Sequence, residues 1–196
     1  FVITLCAGLV LGFVYQITKE PIAIAEEKAA QEAYAEVFPD ASKFEVIELA
    51  VPEDTAYEAA WAEAGYESVD IGSVLSARDD AGALLGYVIP VTTHAGYGGD
   101  ITFMLGVRLD GTVNGISILS ISETAGLGMK AEEVLKPQFA NKQVASFSYT
   151  KSGAAMDSEI DAISGATITT DALVTAVNGG LYYFQTQLGG SGNETK

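Results

Sequence analysis

The sequence predicts an α+β (mixed α/β) domain of antiparallel β-hairpins packed with helices, preceded by one N-terminal transmembrane helix. Three observations lead there. Two pairs of apolar runs flank short turns containing Asp and Gly, the local signature of a hairpin. Apolar residues recur at helical spacing over the last long segment, Thr167 to Leu188. Phe1 to Ile17 is apolar almost throughout, close to the ~17–25 residues that cross a bilayer.

Within the N-terminal run, Gly8 and Gly12 form a small-residue pair at a four-residue interval. Such a pair either admits a second helix or reflects the abundance of glycine in membrane helices. Tyr15 and Lys19 stand where an interfacial aromatic and a snorkelling cation would mark the membrane exit. Cys6 lies inside the run, which is the wrong place for a lipidated cysteine, and no small-residue cleavage site follows. No Met occupies position 1, so further residues are expected upstream, and the flanking charges do not set an orientation.

Ile22, Ala25, Ala29, Ala33 and Val37 then recur at helical spacing, predicting a stalk helix from Pro21 that ends at Phe38-Pro39-Asp40. Phe44 to Ala50 alternates like a strand, and Pro52 to Gly65 reads as a short helix or a surface segment. In the first hairpin, Ser73 to Arg78 and Ala83 to Val91 flank Asp79-Asp80-Ala81-Gly82. In the second, Ile101 to Leu109 and Val113 to Ile121 flank Asp110-Gly111-Thr112. Met129 to Leu135 is a short helix ended near Pro137, Asp157 to Ile163 is extended, and the polar tail from Ser191 is expected to be disordered. These readings divide the chain into an anchor (1–19), a stalk and connector (20–43), a folded ligand-binding domain (44–188) and a tail (189–196).

Composition excludes several functions. With 10 Lys+Arg against 26 Asp+Glu, the net charge of -16 argues against nucleic acid and against lying flat on anionic lipid. The acidity suits either a self-repelling soluble surface or a docking face for a basic partner. One cysteine and one histidine exclude an internal disulfide, an iron–sulfur cluster and a His-based metal site. Redox chemistry here would need an organic cofactor.

The segment Asp161-Ala162-Ile163-Ser164-Gly165-Ala166-Thr167 joins a predicted strand to the last helix. Helix N-termini attract anions through free amides and the dipole, and Ser164 reads as the N-cap. On spacing alone the stretch is either a phosphate site or an ordinary capped helix. The string also resembles the flavinylation motif of the FMN-binding subunits in Rnf and sodium-translocating quinone reductase complexes. Asp161, Ser164, Gly165, Ala166 and Thr167 match every fixed position. The resemblance implies that a flavin transferase joins FMN through its phosphate to Thr167, with Asp161 helping the transferase recognise the segment.

A second stretch supports it. Ser122-Glu123-Thr124-Ala125-Gly126-Leu127-Gly128 is similar to the family's Glu-Thr-Pro-Gly-Leu-Gly loop, with Ala125 in place of Pro and no His just upstream. By resemblance, Glu123, Thr124, Gly126, Leu127 and Gly128 line the flavin; taken alone, such a loop is more often just a turn. Tyr97, in the glycine-rich stretch His94 to Ile101, either stacks on the flavin or is a surface aromatic. His94 reads as a loop histidine without a carboxylate partner, and Lys130 as solvated.

The resemblance therefore implies an electron-transfer subunit with covalent FMN and no catalytic residue or metal of its own. Its setting would be a membrane complex that couples electron flow between ferredoxin and NAD to Na+ or H+ translocation. Length and the single apolar run favour the Rnf branch. Partners would be the other Rnf subunits, the flavin transferase during maturation and the lipid bilayer, with the domain on the extracytoplasmic face of the inner membrane. The competing reading is a membrane-tethered binding or structural subunit without redox function.

Overall fold

The computed structural model describes residues 2–47 and 55–189. Helix α1 runs Val2–Val37 without interruption, Pro21 included, so the anchor and stalk anticipated separately form one helix. The chain divides into two compact units at Glu32/Ala33. In the first unit, large apolar side chains point outward on every side of the helix, including Ile3 (84% exposed), Leu9, Leu11 and Phe13. Among the described residues no helix is long and apolar enough to cross a membrane. The apolar run of α1 gives way at Gln16, Thr18, Lys19 and Glu20 to a charged stretch, so the span expected over residues 1–19 is not met by the described helix.

The second unit is built on an antiparallel sheet of β1 (Lys43–Val46), β2 (Val69–Ile71), β3 (Leu75–Arg78), β4 (Leu84–Thr93), β5 (Ile101–Arg108) and β6 (Val113–Ile121). The order is β1-β3-β4-β5-β6, and β2 pairs with the far end of β4. Val69 lies opposite Thr93 and Leu75 opposite Val88, so β2 and β3 share one side of β4 in succession. Both expected hairpins form. Their turns are closed by aspartates: Ala83 N donates to Asp79 Oδ1 (2.8 Å) and Thr112 N to Asp110 Oδ1 (2.9 Å). Such side-chain acceptors are why Asp is favoured in turns.

Helix α2 (Thr55–Glu63) and the long α4 (Thr167–Gln187) complete the main layer. Ile101, Phe103, Leu105 and Val107 are fully buried and share one face of β5, as a strand's two-residue period requires. α4 covers that face with Leu173, Ala176, Val177 and Leu181. Gly180 lets it approach: a Cβ there would lie 2.5 Å from Leu105 Cδ2. Trp61 of α2 and Tyr66 pack on Tyr182, with ring centroids 6.0 and 5.6 Å from it. The opposite sheet face is covered by Val37 and Phe38, whose contact leaves no room for a Cβ at Gly106 or Gly86.

After β6 the chain makes a 3-10 turn (Gly128–Lys130), the one-turn α3 (Ala131–Val134) and a second 3-10 turn (Lys136–Phe139). The short helix anticipated at 129–135 is thus a composite. β7 (Ser148–Thr150) and β8 (Glu159–Asp161) then pair in parallel as a separate two-stranded sheet. β7 was not anticipated, and β8 falls within the extended stretch expected at 157–163. The strand expected to reach Ala50, the helix start near Pro52 and the tail from Ser191 lie wholly or partly outside the described residues.

Candidate functional site

The site begins where β8 ends. Gln138 grips the backbone of Asp161 from both sides: its Oε1 accepts from Asp161 N (2.7 Å) and its Nε2 donates to Asp161 O (3.1 Å). The Asp161 carboxylate accepts from Ala154 N (2.7 Å). The chain then turns over Ile163–Ala166, closed by Ala166 N to Ile163 O (3.0 Å), with Gly165 at φ 79°. That sign at the third position of a turn strongly favours glycine. Ser164 is exposed within this turn and is not the helix cap, correcting the sequence-based expectation. The N-cap is Ala166, which brings no side-chain cap. Thr170 instead ties the turn to the helix, accepting from Ile163 N (3.2 Å) and donating to Ala166 O (2.9 Å).

Thr167 is the first residue of α4. The first intrahelical bond is Thr170 N to Ala166 O, so the amides of Thr167, Ile168 and Thr169 precede it and have no intrahelical acceptor. With the positive end of the helix dipole behind them, these amides suit an anion.

Two further segments close on this helix end. Glu123, just past β6, accepts from Gly98 N through Oε1 (3.2 Å). Gly128 is buried, and a Cβ there would lie 2.6 Å from Thr169 Oγ1, 2.7 Å from Glu123 Cβ and 2.8 Å from Glu123 Oε2. No other residue permits that three-way approach. Leu127 comes over the turn, its Cδ2 3.2 Å from a Cβ at Gly165.

The result is one cavity of about 480 Å³. Its walls are Tyr97; Glu123, Thr124, Leu127 and Gly128; and Gly165 through Thr169. The structure therefore brings together Tyr97, four residues of the 122–128 loop, and Gly165, Ala166 and Thr167, all singled out in the sequence. It does not bring Ser164 or Gly126 to the wall. Gly126 sits at φ 77° with nothing near it, serving the turn rather than the cavity. Ile168 and Thr169 were missed, although their place directly after Thr167 at a helix start was the available signal.

The lining holds no lysine or arginine; its one ionisable acid is Glu123. Lys130 is exposed and outside the lining, and among the described residues no group of acids, cysteines and histidines could hold a metal. The volume falls within the ~300–1,000 Å³ usual for small organic ligands. A cradle of free amides beside an aromatic fits a phosphorylated planar group such as FMN.

Residues 96–181 match the family described as FMN-binding domain, a stretch that contains every residue of the cavity wall. Over 190 residues the chain is 30% identical to the G subunit of the Na(+)-translocating ferredoxin:NAD(+) oxidoreductase complex of Acetobacterium woodii, covering 94% of this chain and 88% of that one. The chain belongs to this family of G subunits. It is also 29% identical over 194 residues to the G subunit of the ion-translocating oxidoreductase complex of Methanosarcina acetivorans, covering 96% and 92% of the two chains. Among solved structures, that of Shewanella oneidensis NqrC overlaps 59% of this chain and 58% of that one, at 25% identity and a TM-score of 0.49.

One sequence-based reading of this family member is overturned by geometry. His94 is not without carboxylate partners: Nε2 lies 2.9 Å from Asp70 Oδ2 and Nδ1 2.9 Å from Asp100 Oδ1. Hydrogen bonds to Asp70 and then Asp100, with their negative charge, raise its pKa above the ordinary value, outweighing the opposing effect of burial.

Proposed function

We propose that this chain is the electron-transfer subunit of an ion-translocating ferredoxin:NAD(+) oxidoreductase complex and holds FMN in the 480 Å³ cavity through a phosphoester to Thr167. The observation that carries this is the meeting of three segments around one cavity. They are the Thr167 helix start, the 122–128 loop and Tyr97, in a chain whose residues 96–181 match the FMN-binding family. The names of the relatives, each the G subunit of such a complex, support the setting.

When bound, FMN supplies reversible one- and two-electron chemistry; the protein supplies placement and electrostatics. Thr167 presents its hydroxyl at the first helical position, beside three amides that offset phosphate charge where no cation is present. Gly128, having no Cβ, lets the 122–128 loop close on Thr169 and so shapes the cavity wall. Tyr97 offers an aromatic face, and offset stacking on a flavin is its natural use. Glu123 commits one oxygen to Gly98 N, holding the Tyr97 segment to the 122–128 loop. A covalent tether keeps the cofactor from diffusing away, and its installation calls for a flavin transferase that reads Asp161 to Thr167.

The outward-facing apolar side chains of Ile3, Leu9, Leu11, Phe13 and Ile17 support a membrane role for the N-terminal part of α1. A helix apolar on all sides is otherwise stable only inside a large core. By this reading α1 tethers the domain to the bilayer on its extracytoplasmic face. Protein made in cells carrying the flavin transferase should give a flavin-fluorescent band on a denaturing gel, and Thr167→Ala should give a dark one. A dark wild-type band removes the covalent assignment.

A further inference from the structure

His94 lies outside the cavity and outside the span of the family match, yet both of its ring nitrogens are bonded to carboxylates. It closes a ring: its own Nδ1 reaches Asp100, six residues on, while Nε2 reaches Asp70 on β2. Its backbone is also fixed, since His94 N donates to Ser68 O (2.8 Å). Between His94 and Asp100 run Ala95-Gly96-Tyr97-Gly98-Gly99, three of them glycines. Such a segment has little stiffness of its own. Tyr97 is 69% exposed, so packing does not hold it either. What locates it is the close fit of Gly98 against the Ser122 backbone together with its anchoring: Ala95 N to Thr93 Oγ1 (3.3 Å), Gly98 N to Glu123 Oε1 (3.2 Å) and the His94–Asp100 closure.

We infer that His94, as an imidazolium bridging Asp70 and Asp100, is the positioning residue that sets the Tyr97 wall of the cavity. A ring between two carboxylates satisfies both only when both nitrogens donate, which requires the charged form. The neutral ring would aim a lone pair at one aspartate and release it. The two carboxylates bond opposite nitrogens and do not converge on a point, so the arrangement is a strut and not a metal site. The charged groups facing the ring are Asp70, from β2, and Asp100, from the loop's far end.

Because the folded-state pKa is raised, the strut is complete below the ordinary histidine value of about 6.5 and is lost as pH rises through the higher folded value. The Tyr97 wall is then tight in acid and looser in alkali. The geometric claim stands apart from the proposed function; only its consequence for a flavin rests on that reading.

The chain has one histidine, so its imidazole resonances identify themselves in the full chain in detergent. Asp70→Asn and Asp100→Asn should each lower the His94 titration midpoint. The solvent-exchange rate of the Gly98 amide, corrected for its intrinsic pH dependence, should rise roughly two- to five-fold through that midpoint, the scale of an exposed ion pair. His94→Gln should show the faster rate at every pH with exchange in β5 unchanged. Gly98 exchange that ignores the His94 titration, or His94→Gln that leaves it at the wild-type rate, overturns the inference. In flavinylated protein, fluorescence should follow the same midpoint. A flat flavin signal beside a titrating Gly98 would leave the strut supported and contradict the cavity as the flavin site.

Discussion

Gly128→Ala tests whether three segments converge as described. The added Cβ would lie 2.6, 2.7 and 2.8 Å from Thr169 Oγ1, Glu123 Cβ and Glu123 Oε2, where comfortable carbon contacts begin near ~3.5 Å. Thr169 is buried in the first turn of α4, and Glu123 Cβ moves only with its backbone, so neither gives way cheaply. Loop 122–128 and the helix start must separate by several tenths of an ångström. Overpacking of this kind costs about 1–3 kcal/mol, or roughly 0.5–1.5 M off a urea midpoint at an ordinary slope. The opened wall should also lower the flavinylated fraction. Gly126→Ala is the control: with φ 77° and nothing within 4 Å, it should cost about 1–2 kcal/mol of backbone strain and leave flavin incorporation intact. A Gly128→Ala protein with the wild-type midpoint and full flavin would refute the convergence.

Three further outcomes follow from the fold. Asn178 pairs twice with the buried Phe147 backbone, accepting from its N (2.7 Å) and donating to its O (2.8 Å). Asn178→Ala strands both groups and should cost about 2–4 kcal/mol in chemical denaturation. The Tyr57 hydroxyl is buried with no partner among the described residues, and burial first, then the neighbouring tyrosines, pushes its pKa up to about 12. Tyr57→Phe should therefore leave stability unchanged or raise it by up to about 1 kcal/mol, read from the melting temperature. Glu36 feels burial, which raises its pKa, but hydrogen bonds from Lys136 (2.7 Å) and Ser117 and the lysine charge outweigh it and hold the carboxyl low. Its stabilisation is present above the ordinary value near ~4.3 and disappears as pH falls through the lower folded value. The melting-temperature gap between wild type and Glu36→Gln should close over that acid range and nowhere else.

Legibility tracked the range of the interaction. The hairpin turns and the start of α4 are written in adjacent residues, Asp79 to Ala83, Asp110 to Thr112 and Gly165 to Thr167, and the structure has them there. β2 is three residues long, too short for alternation to register, and it exists because β4 extends past β3 to pair with it. The parallel β7–β8 pair depends on contacts across an eight-residue connection, and two three-residue strands are too short for alternation to register. Ser164 looked like a cap because serine favours that place, but the Ile163–Ala166 turn moves the helix start beyond it and Thr170 satisfies Ile163 instead. The His94 strut escaped notice because Asp70 is 24 residues away, and because Asp100 comes within reach only when the glycine-rich loop folds back.

The chemistry at one hydroxyl decides the central claim. Mass spectrometry of the proteolytic peptide spanning Asp161 to Thr170, from protein matured alongside a flavin transferase, should show the mass of one FMN less one water. Fragmentation should put that mass on Thr167 and on neither Thr169 nor Thr170. The bare peptide, or the added mass on another residue, would contradict it.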